Sequence, residues 1–296
     1  MTRPALAATR AIAVLDFLAA HPTDAFTLSD LAARLEINVA SAHALLGVLT
    51  EAGYVSRHPR LRTYTLGPSV VALGTAALES KPAIDLARDA ARRLSTDLDL
   101  EVAVTAPAGD DIVFLARAGA HRARGIAVHV GQRVPLVPPL GSVFVAWAPP
   151  SRVEAWLGRV PDPASLLPSS LGEVLQGVRT RGYSVALDHD TRRGLGDALE
   201  HLADTPVDAE ARGSVGAMVD ALGRGEYQVI LLDPARAYDV SMIAAPVFGP
   251  DAQPVLALTL VGFESGLTGA QVAGYGERVR DAGLVVTKQS RGRVPG

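Results

Sequence analysis

The sequence predicts an α+β protein, a small helical unit closed by a hairpin and followed by an antiparallel sheet domain flanked by helices. Three observations predict it. The first eighty residues read helix, helix, short turn, helix, hairpin. From Lys81-Pro82 onward, strands separated by short turns alternate with amphipathic helices. The chain has 296 residues, of which 48% are hydrophobic and 20% charged, enough apolar material for more than one core. The absence of cysteine excludes disulfide frameworks, thiolate zinc sites, iron–sulfur clusters and a thiol nucleophile. A net charge of −3 excludes a general polyanion binder, so any nucleic-acid contact has to come from a local patch.

A first helix is expected from Thr9, its N-cap, to Ala20, ended by His21-Pro22-Thr23-Asp24. The second starts at Thr27, where Thr27-Leu28-Ser29-Asp30 resembles a capping box with Asp in place of Glu. After Glu36-Ile37, Asn38 caps a third helix over Val39–Ala52, with Ala42, Leu45, Leu46 and Leu49 on its buried face and Gly53 behind it. Strands Tyr54–Arg57 and Thr63–Leu66 flank a turn around His58-Pro59-Arg60. Helix, tight turn, helix and hairpin together describe a winged helix-turn-helix over residues 1–67. A nearly uncharged helix, Pro68–Ser80, then serves as linker over 68–81. With so little polar surface it needs a partner, and a second subunit is expected to supply it.

The second domain covers 82–296. An amphipathic helix, Ala83–Leu98, leads to strands Glu101–Ala106 and Ile112–Arg117 joined through Gly109-Asp110-Asp111. A Pro-rich loop, Val134–Leu140, precedes helices near Gly141–Ala148 and Arg152–Gly158. Helix Leu171–Arg181 and strand Tyr183–Leu187 follow. Residues Thr191–Gly225 read as mostly helical. Strands return at Val229–Leu232, Ser241–Phe248 and Val255–Gly262, before a last helix, Thr268–Lys288.

Three segments carry a family resemblance. The first runs from Ala11-Ile12 to Leu66-Gly67 and includes Leu31-Ala32-Ala33-Arg34-Leu35, Ser41-Ala42-His43-Ala44-Leu45-Leu46, Glu51-Ala52-Gly53-Tyr54-Val55 and Tyr64-Thr65-Leu66-Gly67. The second is Val130-Gly131-Gln132-Arg133-Val134-Pro135-Leu136. The third is Ile243-Ala244-Ala245-Pro246-Val247-Phe248 followed by Val255-Leu256-Ala257-Leu258. In this order they resemble the isocitrate lyase regulator (IclR) family of bacterial transcription factors. The resemblance spans the chain except for an insertion at about 190–239. It implies a GAF-like effector domain over 82–296, a double-stranded DNA operator and a small-molecule effector. It also implies a homodimer or dimer of dimers, with no cofactor and no metal.

Helix three should then enter the major groove. With its buried stripe facing the core, Val39, Ala40, His43, Ala44, Gly47 and Glu51 face outward. Family members usually place Lys, Ser and Arg where this chain has Val39, Ala40 and Ala44, leaving Asn38, Ser41 and His43 to donate and small side chains to touch thymine methyls. Glu36 stands where the turn commonly has glycine. Arg57, Arg60 and Arg62 in the wing suit phosphates or the minor groove, and Thr27 and Ser29 at a helix start suit phosphates. Residues 1–80 nevertheless hold six arginines against six acids. Modest DNA binding with a shallow salt dependence is therefore expected. The competing class is a ligand-binding or protein-interaction module whose winged helix no longer reads DNA.

Matched to the family's effector positions, the chain offers Pro138, Pro139, Leu140, Gly141, Ser142 and Val143 from the loop and next helix. The late strands offer Met242, where many members have Cys, and Thr259 and Val261, where many have Ser. Ala186 stands where Asp is frequent. Most groups able to hold a small carboxylate are thus apolar, and a larger, apolar metabolite is expected; core filling is the competing role for these side chains. Enzyme readings find little support. Asp188-His189-Asp190 would not converge easily on a metal from one strand, where neighbours alternate faces, and read instead as an exposed strand end. Gly194-Leu195-Gly196 is followed by Leu199 where a dinucleotide loop needs Gly or Ala. Arg212-Gly213-Ser214-Val215-Gly216 lacks the first glycine of a nucleophile elbow. His121 and His129 have no evident carboxylate partner. No stretch approaches the ~20 apolar residues of a membrane helix, and Arg10 and Asp16 make the first apolar run an amphipathic helix instead of a secretion signal. A soluble, cytoplasmic protein without membrane contact is expected.

Overall fold

Local signals at Thr27 and Asn38 set the frame of the first unit in the computed structural model, which describes residues 5–120, 129–159, 168–187, 189–205, 213–218 and 228–296. Helix α1 covers Leu6–Ala20, α2 Leu28–Arg34 and α3 Val39–Glu51. Thr27 and Asp30 form a reciprocal capping box at α2, and the Asn38 side chain accepts from the Ser41 N–H at α3. Helix α1 starts three residues before the expected Thr9, so Thr9 lies inside it and Ala5 takes the cap position without a side-chain bond. Strands β1 (Phe26–Thr27), β2 (Val55–Arg57) and β3 (Thr63–Leu66) form a small sheet in the order β1-β3-β2. Val14, Phe17 and Leu18 of α1, Leu31 of α2, Ala42, Leu46 and Leu49 of α3, Val55 and Tyr64 close one core. Helix α4, Pro68–Glu79, buries none of its residues, and Val71 and Leu73 are 70% and 54% exposed.

The described residues fall into two units, with a boundary between Lys81 and Pro82, and the stretch from Ala198 belongs with the first. There His21 Nε2 lies 2.7 Å from Asp204 Oδ1, and Arg34 Nη1 donates to the Asp204 carbonyl at 2.8 Å.

The second unit is built on a six-stranded antiparallel sheet. Its strands are β4 (Glu101–Ala108), β5 (Asp111–Ala118), β6 (Arg133–Pro135), β7 (Ser184–Leu187), β9 (Val240–Phe248) and β10 (Pro254–Val261), in the order β6-β5-β4-β10-β9-β7. A two-stranded sheet pairs β8 (Ala237–Tyr238) with β11 (Leu267–Thr268). On one face, α5 (Pro82–Leu98) and the C-terminal helix α10 (Gly269–Gln289) pack onto Val102, Val104, Ile243, Val247, Leu256, Leu258 and Leu260. The other face carries α6 (Ser142–Val145), α7 (Pro150–Leu157) and α8 (Pro168–Arg181), with Phe144, Trp156, Leu171 and Val178 buried against Ala244 and Ala257. Two expectations are corrected here. Arg133–Pro135 is a strand, so the Pro-rich segment begins as an edge of the sheet. Val229–Leu232 is no strand; Gln228 alone makes a bridge, to Ala186. Arg181 explains how this segment is held. Its Nη1 donates to the Ile230 carbonyl at 2.5 Å and its Nη2 to that of Val229 at 2.8 Å. These bonds occupy the carbonyls that a further strand would need. Gly177 on α8 permits the close approach, since a Cβ there would stand 2.7 Å from the Ile230 oxygen.

The insertion begins with α9, His189–Asp204, and residues 213–218 are also helical. Gly194-Leu195-Gly196 therefore lies inside a helix, and Gly213 to Gly216 belongs to a helical stretch, so neither forms the turn its chemistry would need. Asp188, Arg212 and His121 lie outside the described residues.

Glu36 carries a physical cost. Its φ is 49°, in the left-handed region that L-residues avoid. Glu36→Gly should raise stability by up to about 1 kcal/mol, read as a higher urea midpoint, and should tighten DNA binding by removing a negative charge from the turn. A lower midpoint would mean that the Glu36 side chain makes a compensating contact.

Candidate functional site

Two surfaces, one in each unit, collect the residues singled out from the sequence. In the first unit, the helical register of α3 sorts its residues as expected. Val39, Ala40, His43, Ala44, Gly47 and Glu51 are exposed, while Ala42, Leu46 and Leu49 are buried and Leu45 is half-buried. Val48, 64% exposed, adds an apolar group that the periodicity missed. The outward face of α3 therefore offers His43 and Ser41 among aliphatic groups, a surface suited to methyl contacts.

The polar residues at the helix starts are more committed than the sequence suggests. The Thr27 hydroxyl donates to Asp30 Oδ2 at 2.7 Å and accepts from the Asp30 N–H at 3.2 Å. That hydroxyl bond and the Thr27 N–H at 3.0 Å hold the Asp30 carboxyl below its ordinary range. Thr27 thus has no proton to offer a phosphate unless the cap opens. Ser29 beside it is exposed. The Asn38 oxygen is likewise spent on the Ser41 N–H, at 2.8 Å.

The wing is organised by its backbone. His58 N–H donates to the Thr63 carbonyl at 2.8 Å, and its Nδ1 accepts from the Leu61 N–H at 3.1 Å. Arg62 closes the loop with φ 55°. Arg57, Arg60 and Arg62 are exposed, and none makes an ion pair with another described residue. Arg57 lies 5.8 Å from the centre of the Tyr64 ring, against which it is paired across the strands.

In the second unit, cross-strand register builds the other surface. Residues directly opposite one another in antiparallel strands share a face. Gln228 pairs with Ala186, Ala186 with Met242, Met242 with Val261, and Val261 with Glu101. The next row reads Ser184, Ala244, Thr259, Ala103, Arg117. A third aligns Ala257, Thr105 and Phe114. These rows face α6, while their strand neighbours Ile243, Leu258 and Leu260 point into the opposite core. Ala103, Ala186, Ala244 and Ala257 keep this face shallow, and Phe114, Val261 and Met242 form an apolar cluster on it.

The expected effector positions do come together. Met242, Thr259 and Val261 share this face, and α6, bearing Ser142 and Val143, packs over β9 and β10. Gly141 precedes α6 with φ 79°, and a Cβ there would meet Leu136 Cδ1 at 2.1 Å, so the approach to α6 requires glycine. Pro138 and Pro139 are buried, joined by a cis bond, and the Leu140 carbonyl accepts from Trp156 Nε1 at 3.1 Å. Val143 is packed into the core beneath α6.

Three groups on this side were missed. Gln228 lies in the insertion, where neither periodicity nor resemblance reaches. The Gln132 side chain is 6% exposed; its oxygen accepts from the His129 N–H at 2.8 Å and its Nε2 has no partner among the described residues. Its place beside Gly131 was visible, its burial was not. Glu101 is fully buried and ion-paired with Arg117. A separate concavity of about 280 Å³ between α5 and β5 is lined by Arg88, Arg92 and Arg117, each already paired, with Asp85, Asp89 and Glu101. Among the described residues no group of three or more His, Asp and Glu could hold a metal ion, and no helix is long and apolar enough to cross a membrane.

Comparison with known proteins agrees with this architecture. The model of the IclR helix-turn-helix domain matches residues 7–59. The Pca regulon regulatory protein of Pseudomonas putida is 29% identical over 209 residues, covering 68% of this chain and 71% of that one. The structure of an IclR transcriptional regulator from Alicyclobacillus acidocaldarius has a TM-score of 0.67 at 20% identity, covering 97% of this chain and 100% of that one. That of an IclR homologue from Microbacterium hydrocarbonoxydans, complexed with 4-hydroxybenzoate, has a TM-score of 0.63 at 18% identity, covering 96% and 99%. The helix-turn-helix match and the relatives named as transcriptional regulators place the chain in the class of transcriptional regulators. Residues 7–59 carry an IclR helix-turn-helix domain, and along most of its length the chain is similar to regulators of that family.

Two measurements check these surfaces. Arg60→Ala and Arg62→Ala should each weaken DNA binding across all sequences and lower the log–log salt slope by about one, read by fluorescence anisotropy; an unchanged slope would remove the wing from the phosphates. Arg117→Ala, which removes an ion-pair partner of the buried Glu101 carboxylate, should destabilise the protein in urea unfolding, by up to roughly 3–5 kcal/mol. The double change Glu101→Leu with Arg117→Leu should cost less.

Proposed function

We propose that this regulator binds a rather apolar metabolite on the α6-facing side of its sheet and controls an operator beside its own gene. The observation that carries the reading is the sheet face itself. Four alanines, Met242, Val261 and Phe114 line it, and its polar side chains are few: Thr105, Ser184, Thr259, Gln228 and the paired Glu101 and Arg117. A ligand held there gains roughly 25 cal/mol per Å² of apolar surface removed from water and needs few hydrogen bonds. Support for a ligand at all comes from the solved relative complexed with 4-hydroxybenzoate, an aromatic ring with two polar ends. In this reading Leu140, Gly141, Ser142, Met242, Thr259 and Val261 surround the ligand, Pro139 closes one end, and Val143 supports α6 from below.

The DNA-facing part of the proposal assigns Ser41 and His43, with Ala40 and Ala44, to base edges, and Ser29 with Arg57, Arg60 and Arg62 to the backbone. Thr27 and Asn38 act mainly as caps that hold α2 and α3 in place. Helix α4 supports a homodimer or dimer of dimers: its Val71 and Leu73 are exposed in the single chain, and an identical helix would cover them. A cytoplasmic location follows from this role. The relatives are transcriptional regulators, and a non-enzymatic protein is the reading carried forward.

A mobility-shift titration with the intergenic DNA beside its own gene tests the DNA half. A sequence-specific shift is expected at low salt, and its absence with and without added metabolites would favour the module that no longer reads DNA. A thermal-shift screen tests the ligand half, because only the folded state binds. Aromatic and long-acyl compounds should raise the melting temperature, whereas stabilisation by pyruvate and glyoxylate alone would overturn the apolar site.

A further inference from the structure

We infer that Gln228, contributed by the insertion, is a specificity-determining residue of the effector site, and that together with Ser142 and the Pro139 carbonyl it selects a neutral hydroxyl group at one end of an otherwise apolar ligand. The inference rests on the proposed ligand site and adds to it the chemistry of one end.

Position comes first. Gln228 ends the row that runs through Ala186, Met242 and Val261 to Glu101, so its side chain starts on the face of the sheet that carries Met242 and Val261. The segment behind it is fixed. Val229 N–H donates to the Val185 carbonyl at 3.0 Å, and the two Arg181 bonds hold the carbonyls of Val229 and Ile230. Burial in this environment lowers the Arg181 pKa from its ordinary value, the mark of a guanidinium drawn out of water to make those bonds.

Hydrogen-bonding capacity comes next. Gln228 Nε2 donates to the Pro139 carbonyl and its Oε1 accepts from the Ser142 hydroxyl, both at 3.4 Å. These lengths are well beyond the usual 2.7–3.0 Å, so each bond is weak. Ser142 is 2% exposed, so its hydroxyl has little access to water. A primary amide has two N–H donors and an oxygen able to accept twice. The three groups are therefore buried or half-buried and loosely satisfied, and a small polar group placed among them would be bound by shorter bonds.

Their chemistry selects which group. Of the four polar groups, the Pro139 carbonyl and Gln228 Oε1 accept, Gln228 Nε2 donates and the Ser142 hydroxyl does either, so a hydroxyl, which donates and accepts, matches this mixed set better than a carboxylate, which only accepts and would face two oxygens. Arg181, the cation that reaches this segment, spends both terminal nitrogens on carbonyls. A hydroxyl satisfies the set: it donates to Gln228 Oε1 or the Pro139 carbonyl and accepts from Ser142. Sites that hydrogen-bond a substrate hydroxyl discriminate against the analogue that lacks it, because the protein groups are then left unpaired.

The test uses the full chain with 4-ethylphenol, ethylbenzene and 4-ethylbenzoate, affinities being read from thermal-shift titrations. The phenol should bind wild type about tenfold more tightly than either of the others, the size expected of one or two neutral hydrogen bonds. Gln228→Leu should bring the phenol down to the affinity of ethylbenzene while leaving ethylbenzene within about twofold of wild type. Ser142→Ala, a smaller change, should remove part of the preference. A preference that survives in Gln228→Leu, or a wild type that favours the benzoate, would overturn the inference and leave the apolar site standing. If none of the three probes binds wild type, the apolar site itself is overturned and this inference with it.

Discussion

Antiparallel register across β7, β9, β10 and β4 is the constraint on which the second unit depends. Because side chains alternate faces with a period of two, one alignment decides the contents of both sides of the sheet at once. Leu256, Leu258, Leu260, Ile243 and Val247 go to the helices α5 and α10, and the alanines, Met242, Thr259 and Val261 go to α6. A slip of one residue would send the bulky side chains under α6, where small residues now stand. At the far end of this register the buried Glu101 is ion-paired with Arg117 on the adjoining strand, which offsets part of the cost of burying its charge.

The first unit is governed by caps. Thr27 and Asn38 are short polar residues that stop one backbone conformation and start another, and their side chains answer the unpaired N–H groups at the starts of α2 and α3. The same bonds consume the atoms that would otherwise be offered to a phosphate. A residue type favoured at helix starts is favoured at anion sites for the same reason, and the two roles compete for one hydroxyl. What remains on the surface is largely aliphatic along α3 and cationic in the wing.

The segment around Gln228 is held in part by polar contacts. Arg181 reaches it with two hydrogen bonds, Gly177 gives it room, and a single bridge at Ala186 aligns Gln228 with the sheet. A full strand would have set every second residue on the side that faces α6. One bridge sets one residue there, and that residue is an amide.

The sequence by itself determined the helices, the hairpins and the two-part division of the fold, because capping residues, apolar spacing and turn glycines are local and act within a few positions. The resemblance to the IclR family was also legible, since Gly131-Gln132-Arg133 and Ile243-Ala244-Ala245-Pro246 lie in that family's order along the chain. The outward face of α3 followed from the 3.6-residue period, and the meeting of Met242 with Val261 from their matched positions. Only the tertiary structure decided that Val229–Leu232 leaves the sheet, since Arg181 takes its carbonyls from 48 and 49 positions away. It alone decided that Glu36 adopts a left-handed backbone, that Thr27 is spent on its own cap, and that Gln228 stands across from Ser142. Each of these is a contact or a dihedral whose partner cannot be named until the chain has closed on itself, and hydrogen bonding at such distances leaves no periodic trace in the residues between.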